Sequence, residues 1–517
     1  MYPGTYAKLT PDKPAVVHTG TGTSISYARL EENSIRLARY LHEAGLRPGD
    51  DLALLTDNDP RCFEVYWAAQ RSGLYITAVN RYLSADEAAY ILNDCGARAL
   101  VIASKLGELA AALIPRTPVV RHRLSLGEPL PDHESYATAL ASVSAQPLAD
   151  QPRGADMLYS SGTTGRPKGV KTPLPDRQVD EPGDQMVALF GTAYGFDQDS
   201  VYLSPAPIYH AAPLRFGGMV QALGGTVVLM PRFDAHAALA TMAEHRVTHS
   251  QWVPTMFVRM LKLEESVRRA YDLSSHRVAI HAAAPCPVEV KQRMIDWWGP
   301  ILQEYYSCTE SNGATAISSA DWLRKPGSVG RAIYGVIHIC DDAGAEVPTG
   351  EVGTVYWAQE TPPFNYHNDP DRTAQAQHPD HPKWTTVGDI GRLDADGYLF
   401  LTDRKAFMII SGGVSIYPQE VENCLALHPK VLDVAVIGVP DEEMGEAVKA
   451  VVRAEAGVLV GPELADELLG YVRDRIAHYK CPRSIDFTEQ LPRTPTGKLV
   501  KGELRARYLP VANRPKQ

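Results

Sequence analysis

Apolar positions along the first hundred residues switch repeatedly between two periods. Tyr27–Ala44 carries them at helical spacing, Asp51–Leu55 is a short continuous apolar run, and Pro60–Ser72 returns to helical spacing. Helix-length segments alternating with strand-length ones predict a layered, parallel sheet. A second round follows, with strands at Ser200–Leu203 and Thr226–Leu229, helices at Ala211–Leu223 and Ala235–His245, and further buried strands at Thr248–Val253 and Val278–Ala284. Two rounds predict two related βαβ subdomains packed face to face. Residues 171–186, rich in Pro and Asp, predict an exposed excursion between them.

The pattern changes near residue 403, where about 110 residues of different rhythm begin, close to a common domain size. Strands are expected there at Val434–Val439 and Ala447–Arg453, and a helix at Pro462–Ala477. The expected division is 1–403 and 404–517, with Asp403–Ala406 as the linker.

Composition narrows the class. A chain of 517 residues that is 44% hydrophobic and 22% charged can bury a sizeable core, and a net charge of −10 gives no basic footprint for nucleic acid. The seven cysteines are scattered and lack CxxC spacing, which favours reduced thiols in a cytoplasmic protein over a disulfide framework or zinc site. The N-terminus shows no secretory pattern, and no apolar run approaches the roughly 20 residues that span a bilayer.

Candidate chemistry is densest at Tyr159–Gly169, which reads Tyr-Ser-Ser-Gly-Thr-Thr-Gly-Arg-Pro-Lys-Gly. Gly162, Gly165 and Gly169 let backbone N–H groups approach an anion, Ser160, Ser161, Thr163 and Thr164 add hydroxyl donors, and Lys168 adds a positive charge. The stretch lacks the Gly-Lys-Ser/Thr ending of a P-loop. Its plainer reading is a polar surface turn. Four further segments carry compatible chemistry. Tyr306 offers a face for adenine, Thr309 a hydroxyl for phosphate, and Glu310 a hard oxygen ligand suited to Mg²⁺. Asp389, between glycines, suits ribose hydroxyls; Arg404 reaches the same sugar or a phosphate; Lys498 sits on a Pro/Gly-held loop. Taken singly, these are equally a core aromatic, a turn aspartate, a helix-start glutamate and a solvated lysine.

In this order and spacing the segments closely resemble the adenylate-forming superfamily, which comprises acyl-CoA synthetases, firefly luciferase and the adenylation domains of peptide synthetases. The resemblance spans essentially the whole chain. It implies an α/β protein whose large domain adds a β-barrel-like part to the two βαβ subdomains, followed by a small mobile α+β domain. It further implies that residues 159–169 hold the ATP β/γ-phosphates, and that Tyr306 stacks on adenine with Ala283 and Ala284 lining the same pocket. Thr309 would contact the α-phosphate, Glu310 the Mg²⁺, and Asp389 and Arg404 the ribose. Lys498 would bridge the substrate carboxylate and the α-phosphate. Ser411, Gly412 and Gly413, with Glu420 nearby, match the segment beside the pantetheine tunnel. ATP, Mg²⁺ and coenzyme A are the implied cofactors, a small-molecule carboxylic acid is the implied substrate, and dimers are common among relatives.

Two departures stand out. The hinge position is Ala406, with Lys405 one place early, so either Lys405 substitutes, an alanine hinge suffices, or one half-reaction dominates. Ser307 stands where many relatives have glycine, beside the acyl pocket. His210 resembles the residue that gates that pocket, and Phe216, Gly217, Trp252 and Ala282 are expected to line it with Ser307. No aspartate lies between Ala206 and Val220 to pair an ammonium group, which favours a fatty, aromatic or polycyclic acid over an amino acid. Free CoA is the simplest acceptor, with Lys480 placed to attract its phosphates; a carrier protein is the next. The leading expectation is an acyl-CoA ligase. The rivals are a half-reaction specialist, a freestanding adenylating enzyme, a luciferase-like oxygenase and a catalytically idle binding protein.

Overall fold

The computed structural model describes residues 2–160, 167–361, 363–404, 407–412, 414–492 and 499–508. Two large sheets dominate its N-terminal part. One has nine strands in the order Arg331–Tyr334, Ala314–Ser318, Leu302–Ser307, Val278–His281, His249–Trp252, Val201–Ser204, Thr226–Leu229, Pro14–His18 and Ser24–Ser26. Its central strands are parallel and its outer pairs antiparallel. The other has six parallel strands, with Asp51–Leu55 between Ala97–Ala103 and Tyr75–Val79.

The helices between these sheets explain their own sequences. Ser26 caps Tyr27–Glu43 by accepting from the Arg29 N–H, and Leu30, Ile35, Leu37, Ala38 and Leu41 turn one stripe inward. Cys62–Gln70 is buried at every position because it lies between both sheets. It begins later than the expected Pro60, since Asp59 Oδ1 accepts the Arg61 N–H at 2.9 Å in a preceding turn. The Ala211–Ala222 helix crosses it closely: a Cβ at Gly217 would stand 2.5 Å from the Phe63 ring, and one at Gly218 would stand 2.6 Å from Tyr66. Glycine there is a packing requirement. Outer helices cover the far faces of both sheets, the six-stranded one through Ala85–Asp94, whose Ser84 and Glu87 form a reciprocal cap.

The two rounds are therefore face to face but not self-contained, because the N-terminal hairpin of Pro14–His18 and Ser24–Ser26 extends the second round's sheet. The expected Val278–Ala284 strand stops at His281, and Ala283 turns the chain away with φ 75°. Residues 171–186, expected to be exposed, are half exposed and otherwise half-buried, with Val179 the one buried position.

The expected barrel-like part is a five-stranded antiparallel sheet that includes Val336–Cys340, Gly353–Ala358, Asp389–Leu393 and Leu399–Arg404. Its pairing forms an open ladder among the described residues, without closing on itself. Asp403 and Arg404, expected in a linker, are the last residues of its final strand and pair with Ile390 and Asp389. Lys405 and Ala406 lie outside the described residues. A smaller α+β unit follows, built on the Val431–Asp441 and Gly445–Ala454 hairpin with helices Pro418–Ala426 and Pro462–Arg473 against it. That hairpin is longer than the sequence pattern suggests and the second helix ends earlier, at Arg473 rather than Ala477.

Candidate active site

Parallel strands of an α/β sheet deliver their loops to one edge, the usual place for ligands. Here Val201–Ser204, Val278–His281 and Leu302–Ser307 lead at that edge into His210, Ala282–Ala284 and Ser307–Glu310 respectively. His281 pairs with Glu304 in parallel register, and Ala283 and Ala284 leave the sheet just beyond it, exposed.

Tyr306 and Asp389 are neighbours in space. The Tyr306 hydroxyl donates to Asp389 Oδ2 at 2.6 Å, and its ring lies 6.3 Å from that of Trp357. Asp389 is buried and faces Arg404 across the antiparallel ladder. Three residues far apart in sequence, each assigned to adenine or ribose, thus meet at one strand end.

Glu310 occupies the next position along the same edge. It is buried, and its Oε1 accepts from the Tyr366 hydroxyl at 2.9 Å. Lys168 Nζ lies 4.7 Å from the centre of the same Tyr366 ring, a cation–π distance. Tyr366 sits on the short strand Asn365–Tyr366, which pairs with Lys168–Lys171, itself the antiparallel partner of Leu158–Ser160. The polar stretch 159–169 therefore begins and ends on paired antiparallel strands. Residues 161–166, which include Ser161, Gly162, Thr163, Thr164 and Gly165, lie outside the described residues, as does the Ser160 side chain.

The loop from Ser307 to Gly313 is fastened from several sides. Ser307 Oγ donates to the Gly313 carbonyl at 2.8 Å, Cys308 Sγ reaches Asn312 Oδ1 at 3.0 Å, and Gln359 Nε2 donates to the Asn312 carbonyl at 2.6 Å. Arg215 donates to Asp156 Oδ2 at 2.9 and 2.7 Å and to Ser311 Oγ at 3.5 Å, tying the Ala211–Ala222 helix to this loop. Burial opposes the Arg215 charge, but Asp156 outweighs it and raises the guanidinium pKa. Burial pushes the Cys308 thiol far up, which makes it unreactive. Thr309, half-buried, lies inside this fastened segment.

The residues expected to form the acyl pocket divide. Phe216, Ala282 and Tyr305 share the core between the two large sheets, where Phe216 stacks 5.8 Å from Tyr305. Trp252 does not join them: it packs on the opposite face of the nine-stranded sheet with Trp298 and Phe257. Side chains alternate along a strand, so Gln251 takes the inner place, accepting from the Tyr202 hydroxyl at 3.0 Å and donating to the Tyr305 hydroxyl at 3.2 Å. Gly217 serves the helix crossing at Phe63 rather than a cavity wall. His210 is the half-buried residue before the Ala211–Ala222 helix, its ring 4.8 Å from Tyr209.

In the smaller unit, Ser411 and Gly412 lie at the turn between Ile409–Ser411 and Val414–Ile416, and Gly412 adopts φ 57°. Glu420 and Lys480 form an ion pair at 2.6 Å, and that hydrogen bond holds the lysine pKa up. Lys480 is thus a partnered cation. The Gln419 N–H donates to Asp403 Oδ2 at 3.1 Å, joining the last strand of the open sheet to the Pro418–Ala426 helix. Gly413, Lys498 and the Arg404 side chain lie outside the described residues.

Among the described residues no group of three or more His, Cys, Asp or Glu side chains forms a metal cage. A single buried carboxylate such as Glu310 suits a hard cation that keeps water and phosphate among its ligands. All seven cysteines are unpaired. Sequence patterning gave no reason to select Tyr366, Gln251 or Arg215: apolar rhythm locates an element such as those carrying Arg215 and Gln251 without singling out a polar residue inside it, and Tyr366 lies on a strand of two residues.

Comparison with known proteins agrees with this architecture. Residues 5–361 match the model of the AMP-binding enzyme family and residues 420–498 that of the AMP-binding enzyme C-terminal domain. The chain is 34% identical over 513 residues to a feruloyl-CoA synthase of Amycolatopsis sp, covering 98% of both chains. It is 31% identical over 512 residues to the long-chain-fatty-acid–CoA ligase FadD13 of Mycobacterium tuberculosis, covering 97% of both. The fold matches the crystal structure of the anthranilate CoA ligase AuaEII with TM-score 0.83 at 24% identity, over 98% of this chain and 96% of that one. No helix among the described residues is long and apolar enough to cross a membrane. The chain belongs to the AMP-binding enzyme family, in its branch of AMP-forming acyl-CoA synthetases.

Proposed function

We propose that this acyl-CoA ligase activates an apolar carboxylic acid, fatty, aromatic or polycyclic, as an acyl-adenylate and passes the acyl group to the CoA thiol. The observation that carries the reading is the convergence at one strand end of Tyr306 on Asp389 (2.6 Å) and Tyr366 on Glu310 (2.9 Å). The first pair suits a nucleoside and the second a phosphate with its counter-charge.

The chemistry requires charge management, because a carboxylate attacks the α-phosphorus of another anion. Tyr306 orients the adenine, and Asp389, with Arg404 opposite it, accepts from ribose hydroxyls. Thr309 steadies the α-phosphate. Lys168 and the 159–169 turn receive the leaving pyrophosphate, and Lys498 balances the carboxylate and α-phosphate. Mg²⁺ held at Glu310 would neutralise phosphate charge. The thiol then attacks the mixed anhydride's carbonyl carbon, the C–O bond to AMP breaks, and AMP leaves. In this reading residues 404–517 turn about 403–406 between the two steps, exchanging Lys498 for the Ser411–Gly413 face. The buried aromatic wall of Phe216 and Tyr305, with no carboxylate in the Ala211–Ala222 helix, supports the apolar acid.

Acid-dependent exchange of pyrophosphate into ATP tests the first half-reaction. Exchange that appears only with acid present supports the reading; its absence across fatty, aromatic and polycyclic acids contradicts it.

A further inference from the structure

The core between the large sheets contains a set of phenols that its packing does not explain. Phe190 stands at its centre, its ring 5.0 Å from Tyr305, 5.5 Å from Phe216 and 5.8 Å from Tyr194. The Tyr194 side chain is only 5% exposed, yet its hydroxyl has no hydrogen-bond partner among the described residues. Buried hydroxyls are nearly always paired, and leaving one unmet costs about 1–3 kcal/mol. Burial, and then the neighbouring Tyr305, drive the Tyr194 phenol well above its ordinary pKa, so it stays a neutral donor.

The bonds around it have a direction. The Tyr202 hydroxyl donates to Gln251 Oε1 at 3.0 Å, and Gln251 Nε2 donates to the Tyr305 oxygen at 3.2 Å. Tyr305 accepts in that bond, so its own proton remains to be given. Two phenolic donors, Tyr194 and Tyr305, therefore both pack against Phe190. Ser307, beside the reacting centre, follows Tyr305 by two positions on the same strand and so faces the same way.

We propose that the acid this chain activates is aromatic and carries a hydrogen-bond-accepting oxygen at the ring end remote from its carboxylate, received by the Tyr194 and Tyr305 hydroxyls. The inference rests on the ligase reading above. Phe190 is the ring that the incoming aryl group displaces. It is carried on a π-helical turn, Val187–Gly191, a local geometry frequent at functional sites. A plain alkyl chain fills apolar volume but leaves both phenols unmet, whereas a ring oxygen satisfies them.

The test measures kcat/KM for CoA-dependent AMP release by the full chain with cinnamate, 4-hydroxycinnamate, 4-methoxycinnamate and decanoate. The expected result is that both oxygenated acids exceed cinnamate at least tenfold, with decanoate lowest. In Tyr194→Phe the ratio of 4-methoxycinnamate to cinnamate falls at least fivefold, and Tyr305→Phe lowers it independently. The ratio within each variant is the readout, so a general loss of folded enzyme does not imitate the effect. A wild-type ratio near one, a ratio unchanged in both variants, or a preference for decanoate overturns the inference and leaves the ligase reading standing. AMP release with none of these acids, nor with any of a wider panel, overturns both.

Discussion

The Tyr306 hydroxyl donates to Asp389 Oδ2 at 2.6 Å, joining a strand end of the nine-stranded mixed sheet to the open antiparallel sheet that follows it. This bond fixes an aromatic face and a carboxylate in one frame, as recognition of a nucleoside requires. Tyr306→Phe keeps the ring and removes the bond. A hydrogen bond to a charged group contributes about 1.5–3 kcal/mol, so KM for ATP in pyrophosphate exchange should rise roughly 10–100-fold, with a smaller change in kcat. An unchanged KM would show that the bond does not organise the ATP site.

Tyr366 links the two groups expected to meet phosphate, donating to Glu310 at 2.9 Å while its ring lies 4.7 Å below Lys168 Nζ. Tyr366→Phe retains the ring and removes its hydrogen bond to the carboxylate. The rate of exchange should fall on the order of tenfold and the Mg²⁺ concentration for half-maximal rate should rise, whereas thioester formation from supplied acyl-adenylate should change little. Equal loss in both assays would point to a general structural role.

Gln251 and Trp252 are adjacent in sequence and opposite in consequence. Trp252→Phe should lower the thermal midpoint with little effect on the order of acid preference, since Trp252 packs with Trp298 and Phe257. Gln251→Leu should change the order of preference, since it severs Tyr202 from Tyr305. Kinetics on a small acid panel beside a melting curve separates the two.

That contrast also shows which features were legible in the sequence. Ala211–Ala222 and Thr226–Leu229 were readable almost residue by residue, because amphipathic or continuous apolar runs report burial directly. Tyr306, Glu310 and Asp389 could be proposed for a nucleotide because they belong to a spaced set of unusual polar groups that forms a linear pattern, and the fold brings Tyr306 onto Asp389. Trp252 was misplaced because a strand buried on both faces, His249–Trp252, does not reveal from its pattern which face turns toward the core between the sheets. Tyr366 was missed because a two-residue strand amid Asn, His and Asp has no period at all. Ala283 ended its strand early through a positive φ that alanine does not advertise.

Burial also sets a pH dependence of stability. Asp51 lies fully enclosed, its Oδ2 accepting from Thr77 at 2.9 Å and its Oδ1 unpartnered among the described residues, and burial pushes its carboxyl up to about 7. The folded state then holds a proton that the unfolded chain releases near the ordinary carboxylate value, so stability falls as pH rises from about 4 through 7. Asp51→Asn should therefore raise the thermal midpoint at pH 8, worth on the order of 2–4 kcal/mol, and leave it nearly unchanged at pH 4. An equal shift at both pH values would contradict the assignment.

The central claim is that one site makes both the acyl-adenylate and the CoA thioester. Its most direct test incubates the full chain with ATP, Mg²⁺ and a panel of fatty, aromatic and polycyclic acids, with and without CoA, while measuring AMP and acyl-CoA. The account predicts acid-dependent AMP release that CoA accelerates, with one acyl-CoA formed per AMP. ADP as the nucleotide product, or AMP release that CoA neither accelerates nor converts to thioester, would contradict it.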